Sequence, residues 1–262
     1  MMFLGRNADL EMRSHESTDV AYHRSRAATY DRDVTADYGV YDGLVLPWLF
    51  DRLVASRSIR ALDLGCGTGG LTVLLARQGL TVDAVDHSPD MLAVAREKVD
   101  AEGLSASVTF AESDIRSLEF PDRSFDLVTC QRVLHHVPEA DAVISEAARV
   151  LKPGGIFFVS DQVRGSAVLV AALKPLWHLI RKEQPVDERD SFLRDHEVVR
   201  RPQELLGMLD VHGFTYECRS YGHLGLKETL PPALRRGLIW VLSFPWRRGD
   251  MLFVLATRQD PT

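Results

Sequence analysis

Between residues 60 and 160 the chain alternates two textures: short apolar-rich runs, and longer stretches in which apolar residues recur every three or four positions. The short runs read as buried strands and the longer ones as amphipathic helices. Strands are predicted at Arg60–Leu64, Thr81–Val85, Val108–Ala111, Phe125–Cys130 and Ile156–Ser160. The helices between them are Gly69–Gln78, a second that opens at Ser88-Pro89-Asp90 and ends near Gly103, and Pro138–Leu151. Ser88 supplies a capping hydroxyl, Pro89 the preset first helical position and Asp90 an acid in the first turn. Pro153-Gly154-Gly155 is predicted as the turn into the fifth strand. Strands that alternate with helices in this way predict a parallel sheet joined by crossover connections.

Outside that body the pattern changes. Residues 1 to about 16 are polar and without period, and are expected to fray. Two helices are predicted before the main fold, Ala21–Tyr38 and Val40–Ala55. After Asp161 an apolar helical stretch, Ala167–Ile180, runs into a charged one, Arg181–Arg201. Pro202–His212 reads as an amphipathic helix closed by Gly213, followed by strands Phe214–Tyr221 and Met251–Thr257. The expected organisation is one domain over residues 1–262, with lid helices at 17–56, a core at 60–160 and substrate-cap insertions at 161–201 and 222–249.

Composition narrows the function classes. With 262 residues, 45% of them apolar, the chain can bury a substantial core. A net charge of -6 provides no positive field for a polyphosphate backbone, so nucleic acid is not the expected partner. Cys66, Cys130 and Cys218 form no CxxC pair, which points away from a zinc site or a disulfide framework, and no metal is expected. The polar start carries no secretory signal and no apolar run is long enough to span a bilayer, so a cytoplasmic protein without stable membrane insertion is expected.

The chemistry lies first in Asp63-Leu64-Gly65-Cys66-Gly67-Thr68-Gly69-Gly70. A strand that ends in glycines and enters a helix lets backbone pass close to a ligand and points helix N–H groups at it. Gly65, Gly67 and Gly70 satisfy GxGxxG, and Asp86 stands about 20 residues on, so the glycines alone fit NAD as well as S-adenosylmethionine (SAM). Asp63 favours SAM: a carboxylate beside a pyrophosphate repels it, whereas SAM carries an ammonium and a sulfonium.

LDLGCGTGG, residues 62–70, resembles the first motif of the class I SAM-dependent methyltransferases. AVDHSPDML, Ser113-Asp114-Ile115, FDLVTCQRVLHHV and LKPGG follow in that family's order. The resemblance implies a doubly wound Rossmann-like α/β sheet of seven mostly parallel strands, the last antiparallel. SAM would be the cofactor and S-adenosylhomocysteine (SAH) the product. Gly65, Cys66 and Gly67 would then cradle the cofactor, Asp86 would bond the ribose hydroxyls and His87 and Met91 would flank the adenine. Asp114 would take the adenine amino group, Ile115 would cover the ring and Gln131 would serve the methionine end through its backbone. Tyr30, with Tyr22 nearby, resembles the family's lid tyrosine over the methyl group. The nearest likeness is to the ubiquinone and menaquinone biosynthesis methyltransferases, in the cofactor half only.

His135 and His136 directly follow strand four, where a neutral imidazole could take a proton from a hydroxyl or an acidic C–H. His136 is favoured as the base, with His135 as the other candidate; alternatively one of the two braces the loop. Arg26 could reach the SAM carboxylate or stand exposed on its helix; Asp161, His178, His196 and His223 are further candidates for the substrate wall, and Asp161 could equally cap a helix. Residues 222–249, with Trp240, Trp246 and two arginine pairs, could cover a hydrophobic substrate, make a homodimer contact, touch a membrane surface or pack on the sheet edge. The expected reaction is methyl transfer to a small hydrophobic or aromatic molecule, O-methylation ahead of C-methylation. An NAD-dependent oxidoreductase and a SAM-binding protein without transfer are the alternatives.

Overall fold

Five short runs rich in apolar residues make the centre of the molecule because helices cover both faces of the sheet they form. A computed structural model of the chain describes Ala27 and residues 36–53, 59–164, 198–221 and 251–260. In chain order the elements are α1 (Ala36–Leu53), β1 (Arg60–Leu64), α2 (Gly70–Arg77), β2 (Thr81–Asp86), α3 (Pro89–Ala101), β3 (Val108–Glu112) and β4 (Phe125–Gln131). A 3-10 turn (Leu134–His136) leads to α4 (Ala140–Val150), β5 (Leu151–Gln162), α5 (Pro202–Val211), β6 (Phe214–Tyr221) and β7 (Met251–Arg258).

The seven strands lie in the order β3-β2-β1-β4-β5-β7-β6. Strands β1 to β5 pair in parallel, and β7 runs antiparallel to both β5 and β6. This is the doubly wound sheet implied by the resemblance. Strand order reverses between β1 and β4, so the crevice beyond their carboxyl ends is where such a sheet takes its ligand. On one face α4 buries Val143, Ile144 and Ala147 against Val128, Phe157 and Val159. On the other, α1 and α2 bring Val45, Leu49 and Leu75 onto Leu127 and Phe158. The helical spacing of Val143, Ala147 and Val150, with Ile144 beside them, is what gives α4 its inward stripe.

Several boundaries differ from expectation, most of them by one or two residues. The second N-terminal helix begins at Ala36 rather than Val40, and Pro47 sits inside it on the exposed side. Strand β5 begins at Leu151, not Ile156: Phe125 pairs with Leu151, and Leu127 pairs next with Ile156, so 152–155 form a bulge. Pro153 has no N–H to give the ladder, Gly154 takes φ 76°, and a Cβ on Gly155 would lie 2.8 Å from the Lys152 carbonyl oxygen. Helix α4 begins at Ala140 rather than Pro138, because the chain before it is held as the 3-10 turn. The first N-terminal helix, apart from Ala27, and both proposed caps over most of their length lie outside the described residues.

Candidate active site

At the carboxyl end of β1 the chain makes three left-handed steps in five residues, with φ of 64° at Gly65, 52° at Gly67 and 76° at Gly69. Each requires glycine or nearly so. A Cβ on Gly65 would lie 2.6 Å from a Val133 methyl, whereas one on Gly67 would meet nothing within 4 Å. Gly65 therefore packs against the chain leaving β4, and Gly67 faces open space. The Cys66 N–H donates to the Val85 carbonyl (3.0 Å), which ties the loop to β2. Burial pushes the Cys66 thiol well above its ordinary pKa, and the nearby carboxylates of Asp63 and Asp86 add to the rise. A small inert filler fits that setting.

Asp63 is 2% exposed. It faces Thr129 in the β1–β4 register and accepts from that hydroxyl at 2.7 Å, while its other oxygen accepts from Thr72 of α2 at 2.6 Å. Burial pushes its carboxyl up to about 6; the two hydroxyls oppose the rise and the Asp86 charge adds to it. Asp86, at the end of β2, is also buried and accepts from the backbone N–H of Gly67 (2.8 Å) and of Ser88 (2.9 Å). A carboxylate offers about four acceptor positions, so both oxygens retain capacity. Two carboxylates and an open glycine turn suit a cationic nucleoside cofactor and oppose a pyrophosphate. SAM fits this donor set.

Beyond β2, the His87 side chain is 42% exposed while Met91 is buried on α3. Ile115 is buried. Asp114 is half-exposed and gripped by Arg116, whose Nε donates to Oδ1 (2.9 Å), Nη2 to Oδ2 (2.8 Å) and backbone N–H to Oδ1 (2.8 Å). Burial raises the Asp114 carboxyl, but the Arg116 contacts outweigh it and hold the pKa below its ordinary value. Arg116 also reaches Glu139 at the start of α4 (3.3 Å). Sequence reasoning missed this arginine, although the Asp-x-Arg spacing is the signal of a carboxylate that bonds the backbone two residues on.

The chain leaving β4 makes the second half of the site. Gln131 pairs with Ser160 in the sheet, and Arg132 adopts φ 58° with its N–H donating to the Ser160 carbonyl at 2.6 Å. A left-handed non-glycine residue costs on the order of 1 kcal/mol, so neighbouring contacts must hold it. The 3-10 turn then presents the two histidines differently. His135 is buried and bonds through Nδ1 to the Asp161 carboxylate at the end of β5. His136 is half-buried, its ring centroid 4.0 Å from that of His135. Asp161 also accepts from the Gln162 N–H at 2.8 Å. A place in the substrate wall and a helix cap are the two roles expected of Asp161, and neither includes His135 as its partner.

Asp63, Gly65, Cys66, Gly67, Asp86, Gln131, His135 and His136 thus lie at the ends of β1, β2 and β4, joined by Asp161 from β5. Tyr22, Tyr30, Arg26, His178, His196 and His223 lie outside the described residues. Among the described residues no helix is long and apolar enough to cross a membrane.

Residues 62–159 match the family model described as a methyltransferase domain. The chain is 41% identical over 120 residues to methyltransferase GfsG of Streptomyces halstedii, covering 45% of this chain and 43% of that protein. It spans 43 to 65% of the length of three curated relatives, GfsG among them. In structure it is similar to Haemonchus contortus phosphoethanolamine N-methyltransferase 2 solved in complex with SAM: TM-score 0.58, 21% identity, 91% of this chain and 60% of that one. The ubiquinone biosynthesis O-methyltransferase of Xylella fastidiosa strain M23 is 32% identical over 166 residues, 63% of this chain and 67% of that protein. With that extent of shared sequence over the same glycine loop and sheet, the chain belongs to the class I SAM-dependent methyltransferases.

Proposed function

We propose that the chain transfers the methyl group of SAM to a small hydrophobic or aromatic molecule, most readily at a hydroxyl oxygen. The observation that supports this most directly is the buried His135–Asp161 pair with the His136 ring tilted against it at 42°. When bound, SAM supplies a methyl carbon activated by its sulfonium and departs as SAH. The open turn at Gly67 and the carboxylate of Asp86 hold the nucleoside, and the Asp63 charge behind the loop favours its cationic end. Asp114, oriented by Arg116, and Ile115 serve the adenine.

His136 takes the proton of the acceptor hydroxyl as its oxygen bonds to the methyl carbon and the carbon–sulfur bond breaks. Buried His135, fixed through Nδ1 by Asp161, sets the plane against which His136 rests. General-base assistance of this kind contributes about 100- to 10,000-fold. The O-methyltransferase name of the Xylella relative supports oxygen as the methylated atom, although the Haemonchus structure is of an N-methyltransferase; these relatives are all methyltransferases, which does not favour the NAD reading.

The test is transfer of label from methyl-tritiated SAM to a panel of phenols, catechols, hydroxyquinones and aliphatic alcohols. Label is expected in at least one class, with NMR of the product locating the methyl on oxygen. His136→Ala should lower that transfer about 100-fold or more, with SAM affinity by calorimetry unchanged. Tight SAM binding with no transfer to any acceptor would overturn the reading in favour of a non-transferring SAM protein.

A further inference from the structure

Residues 198–200 cross the histidine turn as a strap. The Arg200 guanidinium donates to three carbonyls of that turn and the two residues after it, Leu134 through Nη1 and Val137 and Pro138 through Nη2, each at 2.7 Å. Two residues earlier, the Val198 N–H donates to the His135 carbonyl at 2.7 Å. The strap is itself hung from the continuation of β5: the Arg164 N–H donates to the Arg200 carbonyl at 2.7 Å, and Val163 bridges Arg200 in parallel register.

A three-residue 3-10 turn has little stability of its own, and its carbonyls need partners. Three carbonyls converging on one group call for the planar, multiply donating fork of arginine rather than the point charge of lysine. The contacts also close a circuit. The end of β5 carries Asp161, which holds the His135 ring, and two to three residues on it carries the strap that holds the His135 backbone. Ring and backbone of one histidine are therefore fixed from β5 and the two residues that follow it. Burial lowers the Arg200 pKa, while the charges of Asp161, Glu204 and Glu139 oppose the fall.

From this circuit we infer that Arg200 is a positioning residue for the His135–Asp161 pair, setting the imidazole against the carboxylate without touching either ring or substrate. The inference rests on the proposed role of the histidines, but its readout needs no acceptor. In full-length protein labelled with ¹⁵N-histidine and saturated with SAH, the His135 Nδ1 proton should give a downfield resonance protected from exchange, assigned by its loss in Asp161→Asn. Arg200→Met should speed that proton's exchange about tenfold or more while SAH affinity changes less than about threefold. Arg200→Lys, which keeps the charge and loses the fork, should fall between the two. A purely structural arginine would lower the melting temperature and leave the protected proton as it is. An unchanged resonance and exchange rate in Arg200→Met would overturn the inference, as would the lack of any protected imidazole proton in the parent protein. Should Arg200→Met fail to fold, Arg200→Gln carries the same comparison. A protein that binds SAM and methylates nothing would still show the resonance, so the two readings fail separately.

Discussion

Two buried aspartates at the carboxyl ends of central strands do different work. Among the described residues the Asp63 carboxylate on β1 is bonded to the neutral hydroxyls of Thr72 and Thr129, and its carboxyl is pushed up to about 6. Asp161 on β5 is bonded to an imidazole, its neighbour's N–H completing the set. A buried carboxylate without a resident cation is costly until a cation arrives. On the proposed reading Asp63 holds negative charge for a positively charged cofactor, whereas Asp161 is bonded to a resident ring. The donor half of the site is poised by leaving a charge uncompensated, and the acceptor half by fixing geometry.

The pH dependence of stability sharpens this contrast most. A carboxyl raised from 3.8 to about 6 contributes stability that is fully present below about 3.8 and lost as pH rises through about 6. A rise of that size corresponds to about 3 kcal/mol. Urea unfolding of the parent and of Asp63→Asn should therefore give a stability difference that moves by up to about 3 kcal/mol between pH 4 and 7, always in the variant's favour as pH rises. Parallel curves would mean that the carboxyl is not raised.

Somewhat smaller is the effect of Asp161→Asn on turnover. An asparagine keeps the shape but cannot favour the required tautomer, so transfer should drop on the order of 50- to 100-fold, with SAM affinity within about twofold. Steady-state kinetics beside calorimetry would show it, and a loss confined to SAM affinity would break the distinction. Asp63→Asn should do the reverse: SAM binding weaker by about tenfold, near 1.4 kcal/mol, with the saturated rate preserved. In the parent, SAM affinity should also improve between pH 5 and 7 as Asp63 ionises, a trend that calorimetry on the asparagine variant should no longer show. The smallest effect is at Gly67, where a methyl meets nothing within 4 Å. Gly67→Ala should cost only about 1 kcal/mol of stability, from φ alone, yet weaken SAM binding because the methyl enters the ligand side.

The donor half was legible in the sequence because its parts are close along the chain. Asp63 and three glycines fall within seven residues, and Asp86 follows at the end of the next strand. Strands β1 and β6 matched their predicted limits, since each is bounded by a turn residue or a charged position. The acceptor half was not, because its contacts are set by sheet order. Asp161 lies 26 residues from His135, and Arg200 lies 66 residues from Leu134. Neither spacing carries a motif. Arg200 reads in the sequence as the end of a charged stretch, and Thr129 as one polar residue in a buried strand; only the β1–β4 register sets it opposite Asp63. The bulge in β5 was hidden for a related reason: Pro-Gly-Gly signals a turn, and only strand pairing shows that the ladder resumes on both sides.

The methyl groups of Val133 fill the space directly above Gly65. For anyone recombining this chain with a relative to exchange acceptor preference, that contact marks where a seam should not run. A crossover between residues 66 and 131 would pair Gly65 with whatever residue the relative carries at position 133 in place of Val133. Keeping β1 through Arg201 in one inherited piece holds the loop, the histidine turn and its strap together, while β7 must still match β5, along which it pairs.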